Sequence, residues 1–111
     1  MSLTGKVAIV TGSSKGLGKA ILLRFAQLGA NVVVNYAKDK APADDVMTAV
    51  AGLGVKAICV QADVSKVPDI EALFKTTLDA FGKIDIVVAN AGVEKVNMPV
   101  VVVTESRGRP F

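Results

Sequence analysis

The feature that most constrains this chain is the segment Thr11-Gly12-Ser13-Ser14-Lys15-Gly16-Leu17-Gly18, which directly follows the apolar run Val7-Ala8-Ile9-Val10. A short apolar run before closely spaced glycines predicts a buried strand that turns sharply into a helix. Such a turn directs backbone N–H groups and the positive end of a helix dipole towards one point. We therefore expect an anion there, and the interpretation we favour is the pyrophosphate of a dinucleotide.

The spacing of the glycines distinguishes this segment from other phosphate-binding loops. A nucleoside-triphosphatase loop needs glycine, four residues, glycine, lysine and then serine or threonine. Here five residues separate Gly12 from Gly18, and Ala20 follows Lys19, so that interpretation fails. The plain Gly-x-Gly-x-x-Gly pattern is also absent. We expect Gly12 to permit the tight turn, Gly16 to allow close approach of a ligand and Gly18 to let the helix pack near the sheet, although glycines can also be structural turn residues.

Apolar segments and turn residues alternate along the chain. They predict strands at 7–10, 32–34, 57–61 and 84–89, and helices at 17–28, 42–53 and from an N-cap at Ser65 to Phe81. The apolar face expected for the first helix consists of Leu17, Ile21, Phe25 and Leu28. Right-handed crossovers then give an α/β fold, a partial three-layer αβα sandwich of Rossmann type with a parallel sheet in the order 3-2-1-4. We predict a dinucleotide-binding domain at 1–92 and an atypical tail at 93–111, in which 100–103 is a valine run.

Composition excludes several classes of function. The 111 residues are 51% hydrophobic, as expected of a parallel sheet buried on both faces, but no apolar stretch approaches the ~20 residues of a membrane span. Cys59, which we expect to be buried, cannot form an internal disulfide because it is the single cysteine, so we expect a cytoplasmic protein. Residues 1–38 contain five basic and no acidic residues but only two aromatic ones, a pattern that favours a small nucleotide over a nucleic acid. We predict no metal site.

Three groups of residues carry a resemblance to a known family. They are Thr11, Gly12, Gly16 and Gly18, then Asp63-Val64 after the third strand, and Asn90-Ala91-Gly92 after the fourth. With this pattern the chain resembles, over residues 6–92, the N-terminal half of a classical short-chain dehydrogenase/reductase, and among these it is similar to 3-oxoacyl carrier-protein reductases and fungal polyketide-naphthol reductases. The resemblance implies that Asp63 contacts the adenine end of a dinucleotide. It also implies that the Asn-Ala-Gly segment shapes the sheet and lines the nicotinamide side.

The residues after the second strand bear on the choice of cofactor. NAD-binding relatives place an acidic residue there to bind the ribose hydroxyls. This chain has Asn35-Tyr36, and Lys15 and Lys38 can approach a 2′-phosphate, so we expect NADP(H) rather than NAD(H). Asp39 lies too far along the chain after the second strand to bind the ribose hydroxyls, unless the loop that carries it is shifted. The residues predicted to bind cofactor are Gly12, Ser13, Ser14, Lys15, Gly16, Leu17, Gly18, Asn35, Tyr36, Asp63, Val64, Asn90, Ala91 and Gly92.

The resemblance also implies a catalytic tyrosine, a lysine four residues later and a serine. Tyr36 and Lys40 have that spacing but precede the third strand, and no tyrosine follows Asn90. We therefore predict no catalytic residue in this chain and expect it to be inactive alone, binding a small carbonyl or alcohol only if further residues complete the site. The tail departs from the family pattern, and a truncation, an altered reading frame and a splice product would each account for that.

Two alternatives to an oxidoreductase fragment stay open. The first is an interaction module without catalysis, associating with itself or with a longer relative through an uncovered fourth strand and the valine run at 100–103. The second is a domain that binds a flavin or a nucleotide sugar. The segment Asn90-Ala91-Gly92 argues against this second alternative.

Overall fold

A computed structural model of the chain describes residues 2–90 and the backbone of 99–103. Up to residue 90, strands and helices alternate in the order that the sequence predicts. They are the strands β1 (Val7–Val10), β2 (Asn31–Tyr36), β3 (Ala57–Gln61), β4 (Ile86–Asn90) and β5 (Pro99–Val103), and the helices α1 (Gly16–Gln27), α2 (Lys40–Ala51) and α3 (Val67–Phe81).

The strands form one sheet in the order β3-β2-β1-β4-β5. The pairs β1–β2, β1–β4 and β2–β3 are parallel, which confirms the predicted order of the first four strands. Parallel strands place all their carboxyl ends at one edge of the sheet. The end of β1 and the ends of its neighbours therefore meet where the glycine-rich segment begins.

Helices cover both faces of this sheet. The face formed by residues such as Ala8 and Val10 packs against Leu22 of α1 and Val46 of α2. The opposite face, which includes Ile9, Val33 and Val87, packs against Leu73 of α3. Side chains alternate between the two faces along each strand, and both faces are buried under helices. This is why the strands contain unbroken apolar runs.

The face that α1 buries differs from the prediction by one position. Its buried residues are Gly18, Leu22 and Ala26, whereas Leu17 is 41% exposed. Ile21, Phe25 and Leu28 are half-buried and pack on the flanks of the same core. The small residues Gly18 and Ala26 bring the helix axis close to the sheet, so the larger side chains lie beside the line of contact.

Side-chain hydrogen bonds move two element boundaries away from the predicted ones. Asp39 caps α2 by accepting a hydrogen bond from the Ala41 N–H at 3.2 Å, so the helix begins at Lys40 rather than at Pro42. In the segment before β4, Asp85 accepts the Val7 N–H at 2.8 Å through its carboxylate. Because a side chain replaces a backbone acceptor there, β4 begins at Ile86 rather than at residue 84.

The strand β5 corrects the expectation of an uncovered fourth strand. It pairs antiparallel with β4 from Ile86↔Val103 to Asn90↔Pro99, so β5 rather than β4 ends the sheet. The predicted boundary between domain and tail at residue 92 stays a prediction. In the described part of the chain, every helix is too short or too polar to cross a bilayer.

Cys59 of β3 is half-buried, not fully buried as expected. It packs at the margin of the core on the side of α1 and α2. Burial raises the pKa of the Cys59 thiol, and the negative charge of Asp44 adds to the rise. The thiol is therefore protonated at neutral pH and acts as a small apolar side chain.

Candidate functional site

The carboxyl edge of the sheet holds a cleft of about 480 Å³. It lies where the ends of β1, β2, β3 and β4 meet the loops that follow them. The residues that line it are Gly12, Ser14, Lys15, Gly16, Asn35, Tyr36, Ala37, Lys38, Asp39, Pro42, Ala62, Asp63, Val64 and Asn90.

The floor of this cleft is the turn from β1 into α1. Gly12 and Gly16 have φ angles of +59° and +63°, a backbone conformation that other residues rarely adopt. Thr11 fixes the start of the turn, because its N–H donates to the Val88 carbonyl at 3.0 Å and its hydroxyl accepts from the Asn90 N–H at 2.8 Å. The turn is thus tied to β4 as well as to β1.

Gly18 permits the closest contact at the site. A Cβ atom at this position would overlap the Gly12 carbonyl oxygen and would lie 2.8 Å from the side-chain Nδ2 atom of Asn90. The prediction that Gly18 lets the helix approach the sheet is therefore confirmed. The contact is with the glycine turn itself, so the position of the turn and the position of α1 depend on each other.

Asn35 holds the glycine turn from the side of β2. It is 2% exposed, and its Oδ1 atom accepts the Gly12 N–H at 2.9 Å. Ser13 is fully buried, donates its N–H to the Asn35 carbonyl at 3.0 Å and accepts the Asn35 N–H on its Oγ at 2.9 Å. The N–H groups of Gly12 and Ser13 are therefore occupied internally, and the donors left for an anion lie further along the turn.

Those donors lie at the start of α1. The first N–H groups of a helix have no partner within the helix, and the N-cap residue, Lys15, makes no capping hydrogen bond with its side chain in the described structure. The first turn of α1 has no acidic residue, while Lys15 and Gly16 both line the cleft. An anionic group is what would complement this end of the helix, and the residues present fit the pyrophosphate of a dinucleotide.

Asp63 lies at the far end of the cleft, after β3. Its Oδ1 atom accepts the Ser65 hydroxyl at 2.6 Å and the Ser65 N–H at 3.0 Å. These two hydrogen bonds lower the pKa of Asp63, so its carboxylate is charged at neutral pH. Ser65 was predicted to cap the next helix, which is wrong. Its hydroxyl is bound to Asp63, and Lys66 takes the N-cap position of α3.

Asn90 closes the cleft at the end of β4. Its side chain lies against Gly12 and Gly18, and its Nδ2 atom is 3.5 Å from the Gly12 carbonyl. Among the described residues its buried Oδ1 atom has no hydrogen-bond partner. Asn90 therefore supports the glycine turn and leaves one polar atom unsatisfied beside the cleft.

The cleft gathers most of the residues that the sequence pattern selects. Ser13 is buried beneath the turn, Leu17 and Gly18 lie on α1 outside the lining, and Ala91 and Gly92 fall outside the described residues. The lining residues outside the predicted set of binding residues are Ala37, Lys38, Asp39, Pro42 and Ala62, and of these only Lys38 was expected to approach a phosphate. All five follow the carboxyl ends of β2 or β3, so the topology of the sheet is the signal that could have found the other four.

Comparison with known proteins places this arrangement in a family. The model of the family described as short chain dehydrogenase matches residues 6–106. The chain belongs to the short-chain dehydrogenase family. It is 50% identical over 93 residues to the hydroxynaphthalene reductase-like protein Arp2 of Metarhizium robertsii, covering 84% of this chain and 35% of that protein. It is 53% identical over 90 residues to glucose 1-dehydrogenase 2 of Bacillus subtilis, and this match covers 81% of this chain and 35% of that protein.

A solved structure of a short-chain dehydrogenase has the same fold. A member of the family from Burkholderia cenocepacia, crystallised in complex with NADP, matches with a TM-score of 0.80 and 40% identity over 84% of this chain and 38% of that one. The chain thus spans little more than a third of the length of these relatives.

The Gly12–Gly18 contact makes a prediction about stability. Gly18→Ala places a methyl group against backbone that cannot move without shifting the turn, so we expect a loss of about 1–3 kcal/mol in the free energy of unfolding. Gly52→Ala is the matched control. Its Cβ would meet nothing closer than the Ala49 carbonyl at 3.6 Å, and we expect little or no loss. Urea unfolding measures both, and equal stability of the two variants would contradict the packing described.

Proposed function

We propose that this chain binds NADP(H) in the cleft, with the pyrophosphate at the start of α1. The observation that carries the proposal is the N-terminus of α1 at the floor of a cleft of about 480 Å³, since this terminus has no side-chain cap among the described residues and no acidic residue in its first turn. The family and the NADP complex of the Burkholderia cenocepacia relative support it. In the proposed arrangement the adenine end lies towards Asp63 and Val64, and the nicotinamide end towards Asn90, Ala91 and Gly92.

The preference for the phosphorylated cofactor rests on the charges beside β2. Asn35 supplies no carboxylate, and Lys15 and Lys38 line the cleft where they can pair with a 2′-phosphate. Asp39 also lines the cleft, but one of its carboxylate oxygens caps α2. We therefore assign Asp39 to the helix cap and not to the ribose.

The chemistry proposed for the complete protein is carbonyl reduction or the reverse oxidation of an alcohol. Bound NADP(H) would supply or accept the hydride. In the part of the site that this chain provides, the helix terminus and lysines bind the phosphates, and Thr11 and Asn90 hold the turn in place. We assign no catalytic residue to the chain, and we propose a cytoplasmic location for it. The names of the two relatives refer to a hydroxynaphthalene and to glucose, so they support an oxidoreductase without selecting one substrate.

Replacing Lys15 tests the cofactor preference. A charge-assisted contact with the 2′-phosphate predicts that Lys15→Ala weakens NADPH binding about tenfold and leaves NADH binding within about twofold. Lys56→Ala is the matched control, because Lys56 is exposed, precedes β3 at the opposite edge of the sheet and removes the same charge. Isothermal titration calorimetry gives the affinities of the unmodified chain and of both variants for NADPH and NADH. An equal effect of Lys15→Ala on both cofactors would exclude the contact between Lys15 and the 2′-phosphate.

Gly16→Val tests the site as a whole and should abolish binding of both NADPH and NADH.

A second candidate function, association through the sheet edge, is favoured by one observation. The last strand in the sheet, β5, consists of Pro99 and four valines, and its described backbone pairs on one side with β4. An edge strand that is β-branched and uncharged is a template for a further strand. We propose that two copies of the chain pair through β5 as a homo-oligomer.

A lysine in β5 tests this second candidate. Val101→Lys places a charge on the edge strand, which disfavours pairing between chains, so we expect a lower association state at the same concentration. Val67→Lys introduces the same change at a site that is 64% exposed at the start of α3, and we expect it to have no effect. Sedimentation velocity measures both. An association state that Val101→Lys leaves unchanged would exclude β5 as the interface.

A further inference from the structure

Both the oxygen and the nitrogen of the Asn35 side-chain amide form hydrogen bonds within the protein. Its Oδ1 atom accepts the Gly12 N–H at 2.9 Å, and its Nδ2 group donates to the carbonyls of Val60 at 3.1 Å and Ala62 at 3.3 Å. A primary amide has two N–H donors, and both are taken. These partners also fix the orientation of the Asn35 amide, because its oxygen must accept from the Gly12 N–H and its nitrogen must donate to two carbonyls.

The backbone of Asn35 forms a second set of bonds in the same place. Its N–H donates to Ser13 Oγ at 2.9 Å, and its carbonyl accepts the Ser13 N–H at 3.0 Å. Five hydrogen bonds therefore join β2 to the glycine turn on one side and to the end of β3 on the other. We call this arrangement of Asn35, Gly12, Ser13, Val60 and Ala62 the Asn35 clamp.

The clamp opposes direct contact between Asn35 and a ligand. The residue lines the cleft but is 2% exposed. Turning the amide towards a ribose or a phosphate would break its bonds to the Gly12 N–H and to the carbonyls of Val60 and Ala62. The bond to Ala62 is buried, and a buried group left unsatisfied costs about 1–3 kcal/mol. A single hydrogen bond to a ligand would replace three hydrogen bonds within the protein, which gives no net gain.

We propose that Asn35 is a positioning residue that holds the glycine turn in its binding conformation and does not itself distinguish NADPH from NADH. The inference rests on the proposed cofactor site. By holding Gly12 and Ser13, the clamp sets where the N–H groups at the start of α1 point, and the pyrophosphate they bind is common to both cofactors. An aspartate could accept the Gly12 N–H, but as a carboxylate it could not donate to the two carbonyls. The amide is therefore required by the protein's own backbone.

Binding affinities separate positioning from direct contact. Asn35→Ala and Asn35→Ser remove the clamp's side-chain bonds, and we expect each to weaken NADPH and NADH binding by the same factor, about tenfold or more. Lys15→Ala is the comparison, since its effect falls on NADPH alone if the phosphate assignment holds. Affinities are measured at a temperature where circular dichroism shows each variant fully folded. A change in the ratio of NADPH to NADH affinity in the Asn35 variants would overturn the proposal.

Hydrogen exchange tests the clamp without any cofactor. In the ligand-free chain, Asn35→Ala removes the acceptor of the Gly12 N–H and should speed exchange of the Gly12 amide at least about tenfold, while Ile9 and Val33 in the neighbouring strands keep their protection. If Asn35→Ala does not fold, Ser13→Ala removes the Oγ that accepts the Asn35 N–H and should speed exchange of the Asn35 amide, and unchanged exchange of that amide would overturn the clamp. Unchanged exchange at Gly12 would overturn the clamp. If the unmodified chain binds neither cofactor, the proposed function fails, and the exchange result still decides whether Asn35 fixes the turn.

Discussion

The site depends on one contact, the approach of α1 to the end of β1 where Gly18 meets Gly12. No side chain fits between the two residues, since a Cβ on Gly18 would overlap the Gly12 carbonyl oxygen. That closeness brings the start of the helix to the carboxyl edge of the sheet, where Thr11 and Asn90 bind the turn to β4. The direction of the helix terminus, and with it any affinity for an anion, follows from backbone packing.

The hydrogen-bond donors of the turn divide into two sets. Those of Gly12 and Ser13 are bonded to Asn35 and hold the turn in shape. Those at the start of α1 have no side-chain cap in the described structure and belong to the proposed ligand. A rigid first set makes the second set useful, because donors that already point to one place lose little entropy when an anion binds.

Much of the fold could be predicted because periodicity and turn residues report on local structure. The limits of β1 and β3 were predicted without error, and the strand order followed from the handedness of the crossovers. The predicted limits of α2, β4 and α3 failed where a side chain formed a bond that its sequence position does not reveal. Asp39 caps α2, and the Asp85 carboxylate takes the place of a backbone acceptor for the Val7 N–H. The Ser65 hydroxyl is bound to Asp63 and does not cap α3.

The site could be predicted to a similar extent. The glycine pattern identifies the turn because few other residues tolerate positive φ at Gly12 and Gly16. The pattern cannot tell which polar side chains face a ligand and which face the protein. Asn35 was therefore assigned to the cofactor, whereas its amide is bonded to Gly12, Val60 and Ala62. That distinction needs the distances between β1, β2 and β3.

The central claim is that a dinucleotide lies across the cleft with its pyrophosphate at the start of α1. The most direct test is a titration of the isotope-labelled chain with NADPH, followed through the backbone amide signals in NMR spectra. We expect the largest shifts at Lys15, Gly16 and Leu17, smaller ones at Lys38 and Val64, and none at the amino edge of the sheet. Saturable binding that leaves the signals of Lys15 to Leu17 unmoved, or no binding at all, would contradict it.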